Sequence, residues 1–240
     1  MWLDRLYHAI DPVAFTLGPL SVRWYGIAYL LGFVCAGVIL YRTARRWGLG
    51  ISADDVLSVV IGAVFGVFIG GRLFYVLFYG AGYYLEHPLE IFMLNHGGMS
   101  FHGGLVGRCA NFVNGELWGK PCDLPWGVMF ETGGAVYRHP SQLYEAVLEG
   151  LMIFAVLYAL SRRVPPRPQG TFMGTFLTLY GVFRFLVEFV RVPDAQLGYL
   201  FGPITMGQLL SVPLVVAGVV LLVVARRANR PQVGYLDRAA

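Results

Sequence analysis

Five runs of the chain, residues 22–41, 56–79, 143–160, 171–190 and 204–224, are apolar over close to the length a helix needs to cross a bilayer. The hydrocarbon core is roughly 30 Å thick and an α-helix rises about 1.5 Å per residue, so about 20 apolar residues span it. Lipid offers no partner to a backbone N–H or C=O, which confines runs of this kind to helices. The expected fold class is therefore all-α: a polytopic transmembrane helical bundle of about five spans, forming a single integral-membrane domain over residues 1–240. Composition agrees, with 57% hydrophobic and 13% charged residues, against about 25% charged in a typical soluble domain.

Arginines follow the first run (Arg42, Arg45, Arg46), the third (Arg162, Arg163, Arg167) and the fifth (Arg226, Arg227, Arg230). Basic residues beside spans mark the cytoplasmic side, so the amino terminus is expected outside and the carboxyl terminus in the cytoplasm. The second and third runs then carry the chain out and back. Residues 85–139, rich in Gly, His, Asn and Pro, must begin and end outside and are expected to form a re-entrant or outer-face polar loop region. The net charge of +4 lies in the clusters beside spans and not along one amphipathic face, which argues against a nucleic-acid partner. Cys35, Cys109 and Cys122 have no CxxC spacing and indicate neither a disulfide framework nor zinc. The amino-terminal residues, with Asp4, Asp11 and Pro12, lack the apolar core of a cleavable signal peptide. Gly62, Gly66 and Gly70 share one helix stripe and are expected to pack against another helix. No inverted repeat of the kind seen in many transporters is present.

Ionisable residues inside a membrane are costly and mark function unless they snorkel or pair. Arg23, Arg72, Glu145, Glu149, Arg184 and Glu188 qualify. Tyr180, Arg184 and Glu188 recur at i, i+4 and i+8, stacking a phenol, a guanidinium and a carboxylate on one helix face. Such a stripe either lines a cavity for an anionic headgroup or snorkels at a helix end. Two histidines, His96 and His102, sit among paired glycines in HGGMSFHGGLVG (residues 96–107), where an imidazole can accept a proton from a thiol or hydroxyl. Without a third ligand at suitable spacing they do not indicate a metal site. Arg108, Asn111, Asn114 and Glu116 follow at once, as phosphate donors with an orienting carboxylate or as a solvated loop face. Ser141, with Glu145 near it, reads as the N-cap of the third span, which leaves the deeper Glu149 unexplained.

Together RWYG (residues 23–26), GGMSFHGGLVG, GRCANFVNGELWG, RHPSQLYE, YGVFRFLVEFVR with PDAQ, and MGQLLSVP resemble the prolipoprotein diacylglyceryl transferase family over nearly the whole chain and in order. The resemblance implies a bacterial inner-membrane enzyme, without cofactor, that moves the diacylglyceryl group of phosphatidylglycerol onto the lipobox cysteine thiol of a preprolipoprotein signal peptide. It implies His102 and Tyr25 as catalytic residues, Arg108 and Arg184 as phosphatidylglycerol-binding residues, and Asn111, Glu116, Tyr180 and Glu188 as supporting polar residues. On physical grounds alone Tyr25 reads as an interfacial belt aromatic.

The chain departs from the family between its two central motifs. There the family completes one span, turns and crosses again, whereas here Gly107 adjoins Arg108 directly, so a transmembrane hairpin is expected to be missing. Ala110 also stands where the family has glycine, a restriction if the backbone there has positive φ. The alternative to an enzyme is thus an inactive lipid- or lipoprotein-binding membrane protein.

Overall fold

The computed structural model describes residues 1–18, 20–79, 87, 105–193, 198–232 and 235. Each of the five apolar runs is helical over most of its length. In chain order come α1 (Trp2–His8), a hairpin of β1 (Val13–Leu17) and β2 (Leu20–Arg23), α2 (Trp24–Trp47), α3 (Ala53–Tyr79) and α4 (Leu105–Val113). A long connector leads to α5 (Ser141–Glu145), a π-helical segment (Ala146–Met152) and α6 (Ile153–Ser161), which run on as one rod. Last come α7 (Thr171–Val187), a hairpin of β3 (Tyr199–Phe201) and β4 (Ile204–Thr205), and α8 (Met206–Ala228). Three stretches among the described residues, Gly26–Trp47, Ser141–Ser161 and Met206–Ala228, are long and apolar enough to cross a membrane, and Thr171–Val187 is a shorter apolar helix.

Burial is inverted relative to a protein dissolved in water. Leu30, Phe65, Val216 and Leu210 are exposed while Arg108, Glu145, Arg184 and Glu188 are buried, as expected where lipid tails solvate the outside and polar groups must pair within. Helix packing depends on small residues. α7 and α8 make the largest contact between elements, and a Cβ on Gly174 would lie 2.9 Å from the Gly218 carbonyl oxygen, one on Gly181 2.7 Å from Val215 Cγ2. At two positions of the glycine stripe expected in α3 this is not seen, since among the described residues nothing lies within 4 Å of a Cβ placed on Gly62 or Gly66; the surroundings of Gly70 lie outside the described residues. Close approach falls instead on α7 and α8.

A second packing centre lies beside the helix ends. Leu3 and Tyr7 of α1 bury against Phe112, Val128 and Phe130, with the Tyr7, Phe112 and Phe130 rings edge-on at 5.1–5.9 Å. Residues 119–139 are stitched by paired backbone bonds, Gly119 N–H to His139 O (2.9 Å) and Val128 with Arg138 in both directions. The Lys120 N–H donates to Val190 O (2.8 Å) just past α7. The described part of the expected outer loop is thus a folded cap, and it fixes where α4 enters the bundle.

Candidate active site

Helix α4 carries Arg108 inward against Glu145, the last residue of α5: Arg108 Nε lies 2.5 Å from Glu145 Oε2, an ion pair without the alignment of a hydrogen bond. Glu145 is 1% exposed. Its other oxygen, Oε1, accepts from Arg184 Nη1 of α7 at 3.1 Å and lies 3.9 Å from Arg191 Nε. One carboxylate therefore holds two arginines from separate helices and faces a third. Arg184 continues the chain of contacts, donating from Nη2 to Glu188 Oε1 one turn on and lying 3.9 Å from Glu149 Oε1. Glu188 also receives Arg191 Nη1 (3.4 Å) and the Thr205 hydroxyl (2.6 Å). Thr205 in turn caps α8 by accepting the Gln208 N–H, a capping box that ties the helix start to the charge network. Gly207 makes this possible, because a Cβ there would lie 2.5 Å from Glu188 Cδ.

The arrangement brings Arg108, Arg184 and Glu188 together, with Tyr180 one turn before Arg184 and stacked on Phe176. Glu188 is buried and paired, so it is not a snorkelling helix end. Asn111 and Glu116 form a neighbouring group: Glu116 Oε1 accepts from Asn111 Nδ2 (2.9 Å) and Asn114 Nδ2 (3.2 Å). The turn carrying them is pinned from the helix start. Gln142 Nε2 donates to Glu116 O (2.6 Å) and Ser141 Oγ to Leu117 O (2.9 Å), where Leu117 holds φ 60°. Ser141 is accordingly no N-cap: it is the first residue of its helix and its hydroxyl serves the turn. His102 and His96 lie outside the described residues, as do the side chains of Tyr25 and Arg72. Arg191 was missed although it stands seven residues, two turns, after Arg184. Glu145 and Glu149 were noticed as intramembrane carboxylates without being assigned a partner.

Guanidinium groups fixed by buried carboxylates suit a phosphate, since an arginine offers five donors in a rigid fork. Among the described residues Arg108 meets Glu145 through Nε, on the edge of its fork. The sequence model of the prolipoprotein diacylglyceryl transferase family matches residues 12–107 and again residues 105–224. The chain belongs to the prolipoprotein diacylglyceryl transferase family. It is 48% identical to the phosphatidylglycerol–prolipoprotein diacylglyceryl transferase of Geobacter sulfurreducens over 91% of this chain and 96% of that protein. For the enzymes of that name from Oleidesulfovibrio alaskensis and Bordetella avium the identities are 46% and 47%, over 90% and 92% of this chain and 93% and 97% of theirs.

The alignment with the Geobacter transferase runs over 252 residues while this chain has 240, so the relative carries residues with no counterpart here. The two matched stretches of the family meet at residues 105–107, the junction of the two motifs. In this transferase-family chain that junction lies inside α4, which passes from Gly107 to Arg108 as regular helix. Ala110 is a buried residue of the same helix. Its expected strain does not arise, because positive φ among non-glycine residues is confined to Leu117 and Asn229 within the described chain.

Proposed function

We propose that this chain transfers the diacylglyceryl group of phosphatidylglycerol to the lipobox cysteine thiol of preprolipoproteins, in the inner membrane of a bacterium, with the amino terminus outside and the arginine clusters in the cytoplasm. The observation that carries this reading is the convergence of Arg108 and Arg184 on the single carboxylate of Glu145. Two guanidinium groups fixed a few ångströms apart in a low-dielectric site form a clamp for one phosphodiester, and they stabilise the charge that gathers on its oxygen as the carbon–oxygen bond breaks.

The acceptor reacts as thiolate. His102, with Tyr25, takes the thiol proton; the sulfur attacks the glyceride carbon that bears the phosphate; a carbon–sulfur bond replaces the carbon–oxygen bond and glycerol phosphate departs. Glu188 holds Arg184 in place, Tyr180 extends the same helix face, and Asn111 and Glu116 brace the turn beside Arg108. The reading is tested with R108A and R184A in vesicles containing phosphatidylglycerol and a lipobox peptide. Both should lose transfer by 10²-fold or more, about the effect of removing one charge-stabilising donor, and unchanged turnover in either would remove the clamp.

A further inference from the structure

The site holds three arginines, Arg108, Arg184 and Arg191, and three glutamates, Glu145, Glu149 and Glu188, all buried. When every group is ionised the six charges cancel. A phosphodiester adds one negative charge with no cation of its own, and an uncompensated charge in a low-dielectric interior is costly enough that an ionisable neighbour neutralises instead. Uptake of one proton by a carboxylate restores the balance.

The contacts single out which carboxylate. Glu188 accepts from Arg184 and Thr205 as well as from Arg191. Glu145 accepts from Arg184 and abuts Arg108. Among the described residues the cation beside Glu149 Oε1 is Arg184 Nη1 at 3.9 Å, beyond hydrogen-bond reach, and that buried oxygen has no hydrogen-bond partner there. Among the described residues the groups facing it are Glu145 from α5, Arg108 from α4, Arg184 and Tyr180 from α7, and Arg191 just beyond α7. Glu145, four residues earlier on the same rod, is a like charge on that helix face when both are ionised. Glu149 also sits in the π-helical segment Ala146–Met152, a local departure from α-helix of the kind that recurs at functional sites.

We propose that Glu149 is the charge-compensating acid of this site, taking up one proton as a lipid phosphate settles between Arg108 and Arg184 and returning it when the site empties. The inference rests on reading those arginines as the phosphate clamp. It is tested by binding, without the acceptor thiol: the full chain in detergent is titrated with phosphatidylglycerol from about pH 5 to about pH 9, beside E149Q. Wild-type affinity should fall about tenfold per pH unit on the alkaline limb, the slope of one linked proton, and E149Q should bind with an affinity that does not change with pH. A flat wild-type profile, or an E149Q profile with the wild-type slope, overturns the proposal and leaves the clamp standing. Failure of the wild type to bind at any pH overturns both. If E149Q does not fold, calorimetry of the wild type in two buffers of different ionisation enthalpy decides: one proton taken up per lipid on the alkaline limb is expected, and none overturns the proposal.

Discussion

Arg184 reaches three carboxylates at once, Glu145, Glu149 and Glu188. Removing it leaves buried negative charge unpaired, which costs about 3–5 kcal/mol for a broken buried pair. R184A should therefore lower the thermal midpoint in detergent steeply as well as abolish transfer. R184K should recover part of the midpoint but little of the activity, because one ammonium cannot reproduce the planar fork that spans Glu145 and Glu188. A fully active R184K would contradict this account of the geometry. His139, outside the spans, is half-buried, and burial holds its imidazole below the ordinary histidine range. Its folded-state value is depressed, so the unfolded chain takes up the proton first. Its contribution to stability is present above about pH 6.5 and is lost as the pH falls below that value. Thermal midpoints of H139Q should accordingly show a weaker acid decline than those of the parent; an identical decline would exclude His139 as a source.

At the level of elements, two features couple packing to the site. Thr205 both caps α8 and donates to Glu188. T205V should lose about 1 kcal/mol from the cap and lower activity through the loosened Glu188, whereas T205S should restore both; a valine variant indistinguishable in midpoint and turnover would separate cap from site. A Cβ on Gly218 would meet Thr178 N at 2.6 Å, so G218V should force α7 and α8 apart and cost stability by overpacking, on the order of 1–3 kcal/mol, measurable as a lowered unfolding midpoint. The helices were legible because apolar run length maps directly onto them, although α2 continues to Trp47, past the apolar run, since arginines in the last turns extend a helix while reaching for water. The Arg184 and Glu188 pairing was legible from i, i+4 spacing. Glu145 as hub, Arg191 as third cation and the Thr205 contact were not, because each depends on which helices become neighbours, and spacing within one segment carries no record of that.

For the whole molecule the decisive matter is how the chain is built across residues 105–107, where the two stretches matched to the family meet. The described structure answers locally: α4 runs through the junction, delivers Arg108 to Glu145 and packs against both α2 and the π-helical segment. The proposed clamp draws its residues from α4, α5 and α7. The most direct test reconstitutes the chain in membranes containing phosphatidylglycerol, adds a lipobox peptide and follows the peptide by mass spectrometry, with H102A as control. A diacylglyceryl adduct on the peptide cysteine that is absent with H102A is the expected result; well-folded protein that yields no adduct would contradict the transferase reading and leave a site that binds lipid without transferring it.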